Sequence, residues 1–254
     1  MKQITKQLKQ NFPSLDSIEE RLSLLKDKYK GETAYIVTCG PSLSTHDEQI
    51  LNEKLKDKLV ISIKQAYNVV GDISDFHLVS TYNLSPYTWN PNSIVYWGLS
   101  KSYANNQLTK ITQLQAPIDL FIPIINPPFI NRSQTTQATE NFDDFYMMET
   151  HTEVMWGCGM MYELAIPLAL LLGCDKMVAI GWDMGDPNKP LEQGHFDDDK
   201  IKRDCFPMEG ELAETIKSTD ALYDWFKEKQ IDFKILSDIS WVSPKFERID
   251  LNQI

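Results

Sequence analysis

Seven short apolar runs, at residues 34–38, 59–63, 76–80, 94–99, 118–125, 177–181 and 233–236, set the strongest limit on how this chain can fold. Several are apolar at every position instead of at alternate ones. A strand with one wet face alternates, whereas a strand covered on both faces does not have to. Helical spacing follows the first run, at 47–55, and precedes the sixth and seventh, at 159–172 and 209–229. Strands alternating with helices form a mostly parallel sheet, since parallel neighbours need a crossover to join them. The expectation is an α/β chain: a Rossmann-like three-layer fold with a mostly parallel sheet and helices on both faces.

Ahead of these runs, Ile18, Leu22, Leu25 and Tyr29 recur at helical spacing over 17–30. Ser17 and Glu20 form a capping box, and Gly31 stops the helix. The domain reading is an N-terminal helical extension over 1–31 and a Rossmann-like nucleotide-binding domain over 32–254. Within the latter, 126–152 carries Pro127-Pro128, polar residues and scattered aromatics, and reads as a lid-like insertion. A second long polar loop covers 185–207, and loops of that length in a compact domain are often functional.

Charge narrows the partners. The formal net charge is −11, which disfavours a nucleic-acid backbone or an anionic membrane surface. The longest apolar run, 164–173, is too short to span a bilayer, and residues 1–10 are polar and basic. The four cysteines show no paired or zinc-type spacing. A cytoplasmic protein is expected, with oligomerisation left open.

Candidate ligand residues sit where the apolar runs end. In an open α/β sheet, ligands bind outside the carboxyl ends of the strands. The first run ends in Gly40-Pro41-Ser42. Gly40 permits close backbone approach and positive φ. Pro41 suits a first helical turn, and Ser42 offers a hydroxyl and an N–H to a phosphate. The third run ends in Tyr82-Asn83, an aromatic face and an amide suited to a base or ribose. The sixth ends in Gly181-Trp182-Asp183, where a carboxylate can hold a hydroxyl, an amide or a metal. Gly157-Cys158-Gly159 opens the helix before it, and its glycines let a ligand approach the helix amides.

In order, Gly40-Pro41-Ser42-Leu43, Gln65, Tyr82-Asn83, Gly159, Gly181-Trp182-Asp183 and Lys217-Ser218-Thr219-Asp220 resemble the motifs of bacterial sialyltransferases of glycosyltransferase family 42. They also resemble the wider group of flagellin-modifying proteins with the same core. The resemblance covers about residues 34–236. It implies a transferase acting on a nucleotide-activated sugar, with a CMP-sugar as the candidate donor, an unknown acceptor and no strict need for a divalent metal. In that family the glycine-rich turn and asparagines hold the nucleotide, a histidine is the general base and tyrosines stabilise the departing phosphate.

This chain departs from the family at several points. Thr38 and Cys39 stand where the family has glycine and asparagine, and Lys64 stands where it has a second asparagine. The family's catalytic histidine aligns near Thr215, beside Glu211 and Glu214. Some members of the wider group instead carry a histidine soon after the strand ending in Gly-x-Asp. His195 matches it here, and becomes the expected acid–base group together with Asp183 as the orienting residue. The run Asp197-Asp198-Asp199 beside it opens an alternative: a Mg²⁺-dependent pyrophosphokinase of the 6-hydroxymethylpterin type. A non-catalytic nucleotide-binding protein of the same fold is a further alternative. His77 lies inside an apolar run and is expected in the core, His46 is expected on the surface, and His151 is a lid residue.

Overall fold

The computed structural model describes residues 1–80, 87–100, 116–125, 142–143, 154–155, 159–184, 196 and 211–254. Among them, nine strands form one sheet: β1 (Thr33–Val37), β2 (Leu59–Ile63), β3 (Phe76–Ser80), β4 (Ile94–Ser100), β5 (Leu120–Ile125), β6 (Val154–Met155), β7 (Lys176–Ile180), β8 (Asp232–Leu236) and β9 (Glu247–Arg248). Their spatial order is β6-β5-β4-β3-β2-β1-β7-β8-β9, and every pairing is parallel. The described helices are α1 (Lys2–Asn11), α2 (Ile18–Leu25), α3 (Glu48–Leu55), α4 (Tyr67–Val70), α5 (Ile166–Leu171) and α6 (Glu211–Glu228). The fold is α/β and Rossmann-like.

The unbroken apolar runs have a direct cause. Alternate residues of one strand enter two different cores, and both cores are dry. Ala34 and Ile36 of β1 join Leu59, Ile61, Phe76, Met177 and Phe233 on one face, against α1, α2, α5 and α6. Tyr35 and Val37 join Val60, Val178, Ile180 and Leu236 on the other, against Leu51 and Leu55 of α3. Each such aliphatic side chain contributes about 1.5–3 kcal/mol on burial, so a polar residue on either face would be costly.

The predicted cap of α2 is present. The Glu20 N–H donates to the Ser17 hydroxyl at 3.2 Å, and the Ser17 N–H donates to the Glu20 carboxylate at 3.2 Å. The helix is shorter than its apolar spacing predicts, closing at Leu25 ahead of Asp27, whose φ is 58°. The helix α1 was not visible as an apolar pattern. It buries only Thr5 and Leu8, and Leu8, Phe12, Leu22 and Leu25 all enter the main core, so residues 1–31 pack as part of it. At the lid-like segment, Phe142 and Asp143 are described. Phe142 is buried against Tyr162 and Trp225, and the Trp225 indole N–H donates to Asp143 at 3.0 Å.

Candidate functional site

The strand order reverses at β1: the chain builds outward to β6 on one side, then returns to lay β7 on the other. A reversal of this kind leaves a crevice at the carboxyl tips, where the connections diverge to opposite faces. Here the tips are those of β1 and β7, with β2 and β8 beside them. Gly40, Pro41, Ser42, Gly181 and Asp183, distant in sequence, meet at this place.

Backbone bonds stitch the two tips together. The Thr38 N–H donates to the Ile180 carbonyl and the Gly40 N–H to the Gly181 carbonyl, both at 2.8 Å. Gly40 does not use the positive φ expected of it; its φ is −67° and its ψ 161°. Glycine is required there by space, because a Cβ would stand 2.1 Å from the Gly181 carbonyl oxygen and 2.5 Å from the Asp183 carboxylate. Positive φ occurs instead at Gly181 (76°), its hydrogen-bond partner at the β7 tip, where a Cβ would also crowd the Thr38 carbonyl. Pro41 opens a 3₁₀ turn, Pro41–Thr45, in the first-turn position expected of it.

Asp183 is 1% exposed. Its carboxylate accepts from the Ser42 N–H at 2.6 Å, the Ser42 hydroxyl at 2.8 Å and the Ser237 hydroxyl at 2.5 Å, while its own carbonyl accepts from the Trp241 N–H at 2.9 Å. Both Ser42 donors offered to a phosphate by the sequence are therefore engaged by Asp183. The carboxylate clasps the turn after β1 to the loop after β8.

On the β2 side, Lys64 has φ 47°, a conformation uncommon outside glycine, asparagine and aspartate. The His77 Nε2 contacts its carbonyl at 3.2 Å, and its ammonium makes no hydrogen bond or ion pair among the described residues. Gln65 is buried, and the Cys39 thiol lies 3.1 Å from the Ile63 carbonyl and 3.6 Å from the Gln65 Oε1, joining the β1 and β2 tips. His77 is in the core, as expected: its ring stacks on Tyr67 with centroids 3.9 Å apart, and Tyr87 meets it edge-on at 4.7 Å. Burial pushes its pKa down from 6.5 to about 3, with the Lys64 carbonyl opposing.

Other expectations separate from this group. Trp182 is buried and packs edge-on to Tyr162 and Phe233, so its ring belongs to the core. Gly159 is exposed with φ 88°, ahead of a π-helical turn, Met161–Ala165. Tyr82, Asn83, Gly157, Cys158, His151 and His195 lie outside the described residues. Phe196, which follows His195, is described: its N–H donates to the Cys39 carbonyl at 2.9 Å, and its ring packs against the β1-side core.

Two residues at the site were not singled out by sequence. His46, expected on the surface, is half-buried at the end of the 3₁₀ turn, and its Nε2 is buried without a partner among the described residues. Burial holds its pKa below the ordinary histidine value, against the opposing pull of Asp183 and Asp238. Trp241, 41% exposed, stands on the loop after β8. The only sequence signals were position: His46 follows the glycine turn by a few residues, and Trp241 follows the last long strand.

Among the described residues no three His, Cys, Asp or Glu side chains group as metal ligands, and no helix is long and apolar enough to cross a membrane. Asp197-Asp198-Asp199 lies outside those residues. No protein-family model and no curated protein matches the chain. Among solved structures it is similar to a MAf glycosyltransferase from Magnetospirillum magneticum AMB-1, with 13% sequence identity and a TM-score of 0.47. That likeness covers 93% of this chain and 38% of the other, so the chain spans well under two thirds of that protein's length.

Proposed function

We propose that this chain is a glycosyltransferase that uses a nucleotide-activated sugar, with CMP-sugars among the candidate donors. The observation that carries the proposal is the strand-order reversal at β1, with Lys64 at the carboxyl tip of the neighbouring β2, its backbone at φ 47° and its ammonium without a hydrogen bond or ion pair among the described residues. A cation held at a strand tip on a constrained backbone suits a nucleotide phosphate. Since Asp183 takes both Ser42 donors, Lys64 replaces the glycine turn as the principal phosphate contact.

In this reading His195 removes the proton of the acceptor hydroxyl. The hydroxyl oxygen then bonds to the anomeric carbon while the bond from that carbon to the phosphate oxygen breaks, and the departing phosphate keeps the electron pair. Lys64 offsets that charge. What supports His195 is the anchorage of its neighbour Phe196 to the Cys39 carbonyl at the tip of β1. Asp183 acts by fixing the turns on either side of the crevice.

Titration calorimetry with CMP, UDP, GDP and ATP tests the proposal. One of them should bind, unaffected by EDTA, and Lys64→Ala should weaken it by about tenfold, the scale of one lost charge-assisted contact. Absence of binding by all four at millimolar concentration would sink the proposal. Binding that needs Mg²⁺ would favour diphosphate transfer instead. In a transfer assay, His195→Ala should lower the rate by roughly two to four powers of ten.

A further inference from the structure

Trp241 stands apart from the other described tryptophans. Trp97, Trp182 and Trp225 are buried, and Trp89 packs against Tyr67, His77, Tyr87 and Trp97. Trp241 is 41% exposed, and no hydrogen bond or ring contact engages its indole among the described residues. An exposed indole is a large apolar face left in water, and the surrounding chain would ordinarily turn it inward.

Its backbone, by contrast, is held from several directions. The Trp241 N–H donates to the Asp183 carbonyl at 2.9 Å. The Ser240 hydroxyl donates to the Trp182 carbonyl at 2.6 Å, and the Val242 N–H to the Ser240 hydroxyl at 3.2 Å. The Arg248 guanidinium donates to the Val242 carbonyl at 2.6 Å and the Ser243 carbonyl at 3.2 Å. Val242 itself is buried. A fixed loop carrying an unpartnered ring has already met much of the ordering cost of binding.

The surroundings decide what the ring accepts. Asp238, on the same loop, is exposed and forms no ion pair among the described residues. Its neighbours fix its place: the Ser237 hydroxyl donates to the Asp183 carboxylate at 2.5 Å and the Ile239 N–H to the Ser237 hydroxyl at 3.3 Å, so Asp238 stands on the loop that Asp183 clasps, three residues before Trp241. A carboxylate there repels a phosphate and accepts hydrogen bonds from hydroxyls. Lys64, whose ammonium makes no hydrogen bond or ion pair among the described residues, belongs to the tip of β2, three strands from β8 in the sheet order and about 14 Å from it at the usual separation. The β2 and β8 sides of the strand-tip edge thus differ in chemistry.

We infer that Trp241 and Asp238 form a saccharide subsite, the indole packing against the C–H face of a sugar ring and the carboxylate receiving its hydroxyls. This rests on the glycosyltransferase reading for its biological sense and adds an orientation to it: nucleotide toward β2, sugar toward β8.

Saturation-transfer NMR with methyl α-D-glucopyranoside, methyl β-D-galactopyranoside and N-acetylglucosamine tests the subsite, with nucleotide affinity read in parallel by calorimetry. The native protein should saturate the ring protons of at least one sugar. Trp241→Ala should weaken that sugar on the order of tenfold, the scale of a lost tryptophan anchor, and should leave nucleotide affinity unchanged. Trp241→Phe, which keeps an aromatic face, should retain most of the binding and guards against a folding defect in the alanine variant. Sugar binding that survives Trp241→Ala, or no sugar binding at all, overturns the inference. So does loss of nucleotide affinity in Trp241→Ala with sugar binding intact, which would make the ring a base platform. Trp241-dependent sugar binding without any nucleotide binding would uphold the subsite while removing the nucleotide-sugar reading.

Discussion

His77 shows how a single side chain can be assigned correctly and still carry more than its assignment. Its place inside an apolar run pointed to the core, and it is fully buried among Tyr67, Tyr87 and Trp89. What the sequence could not show is that its Nε2 meets the carbonyl of Lys64, a residue with positive φ, while Nδ1 has no partner among the described residues. The neutral ring is the only form this pocket holds comfortably, since burial pulls its pKa to about 3. The unfolded chain takes up the proton near the ordinary value of about 6.5 and the folded chain does not, so the unfolded state is favoured as pH falls below that value. Stability should therefore decline as pH falls from about 7 toward about 3, at up to about 1.4 kcal/mol per pH unit from this group. Urea unfolding at each pH is the check, and His77→Gln, which keeps a donor near the Nε2 position, should flatten the decline. An unchanged slope in that variant would mean the ring is protonated within the fold. Gly40 teaches the complementary lesson: the sequence offered it for close backbone approach and positive φ, yet what requires glycine there is the nearness of Gly181 and Asp183, a tertiary fact that no local pattern encodes.

At the scale of elements, the long strands were legible because both of their faces are dry, which leaves a continuous apolar run. The two-residue strands β6 and β9 are too short to carry any pattern, and α1 is hidden by its lysines and glutamines, since it buries so little. The clasp at Asp183 belongs to this scale, because it joins the turn after β1 to the loop after β8 through three donors. The sequence marked Asp183 and Ser42 as separate ligand contacts, and the structure pairs them with each other. Asp183→Ala would strand the Ser42 and Ser237 donors in a buried place, and hydrogen bonds to a charged group contribute about 1.5–3 kcal/mol each. A loss of about 3–5 kcal/mol in unfolding free energy is expected, toward the lower end of the sum over three bonds because removing the carboxylate also relieves its own desolvation cost, with Asp183→Asn losing less because one acceptor oxygen remains. Both variants should also weaken nucleotide and sugar binding, since the turns they release form the rim. If stability holds while only turnover falls, Asp183 acts on substrate directly and the clasp is secondary.

Across the whole molecule, the charged strap on α1 and the residues offered to ligands occupy opposite edges of the sheet. At the amino edge, α1 is strapped down by charge. Lys2 pairs with the buried Asp75 at 2.5 Å, and Lys9 pairs with Asp119 at 2.9 Å. Asp75 also accepts from the Thr5 hydroxyl at 2.5 Å and the Val60 N–H at 2.9 Å. Burial lowers the pKa of Lys2 against the pull of Asp75, so the ammonium depends on that carboxylate to stay comfortable where it is. Removing one partner of a buried pair typically costs about 3–5 kcal/mol, because the other is left uncompensated; partial exposure of Lys2 places this case at the lower end. Asp75→Ala should therefore lower the melting temperature by roughly 10 °C in a chain of this size. The carboxyl edge, with Lys64, the Asp183 clasp and Trp241, lies a full strand length away, about 17 Å for five residues. Nucleotide affinity of the folded Asp75→Ala protein, measured well below its melting temperature, should then match that of the native chain. Equal loss of stability in Asp75→Ala and Asp183→Ala, with binding lost only in the latter, is the pattern expected if the two edges act independently. Loss of binding in both would mean that the amino-edge strap also sets the shape of the crevice.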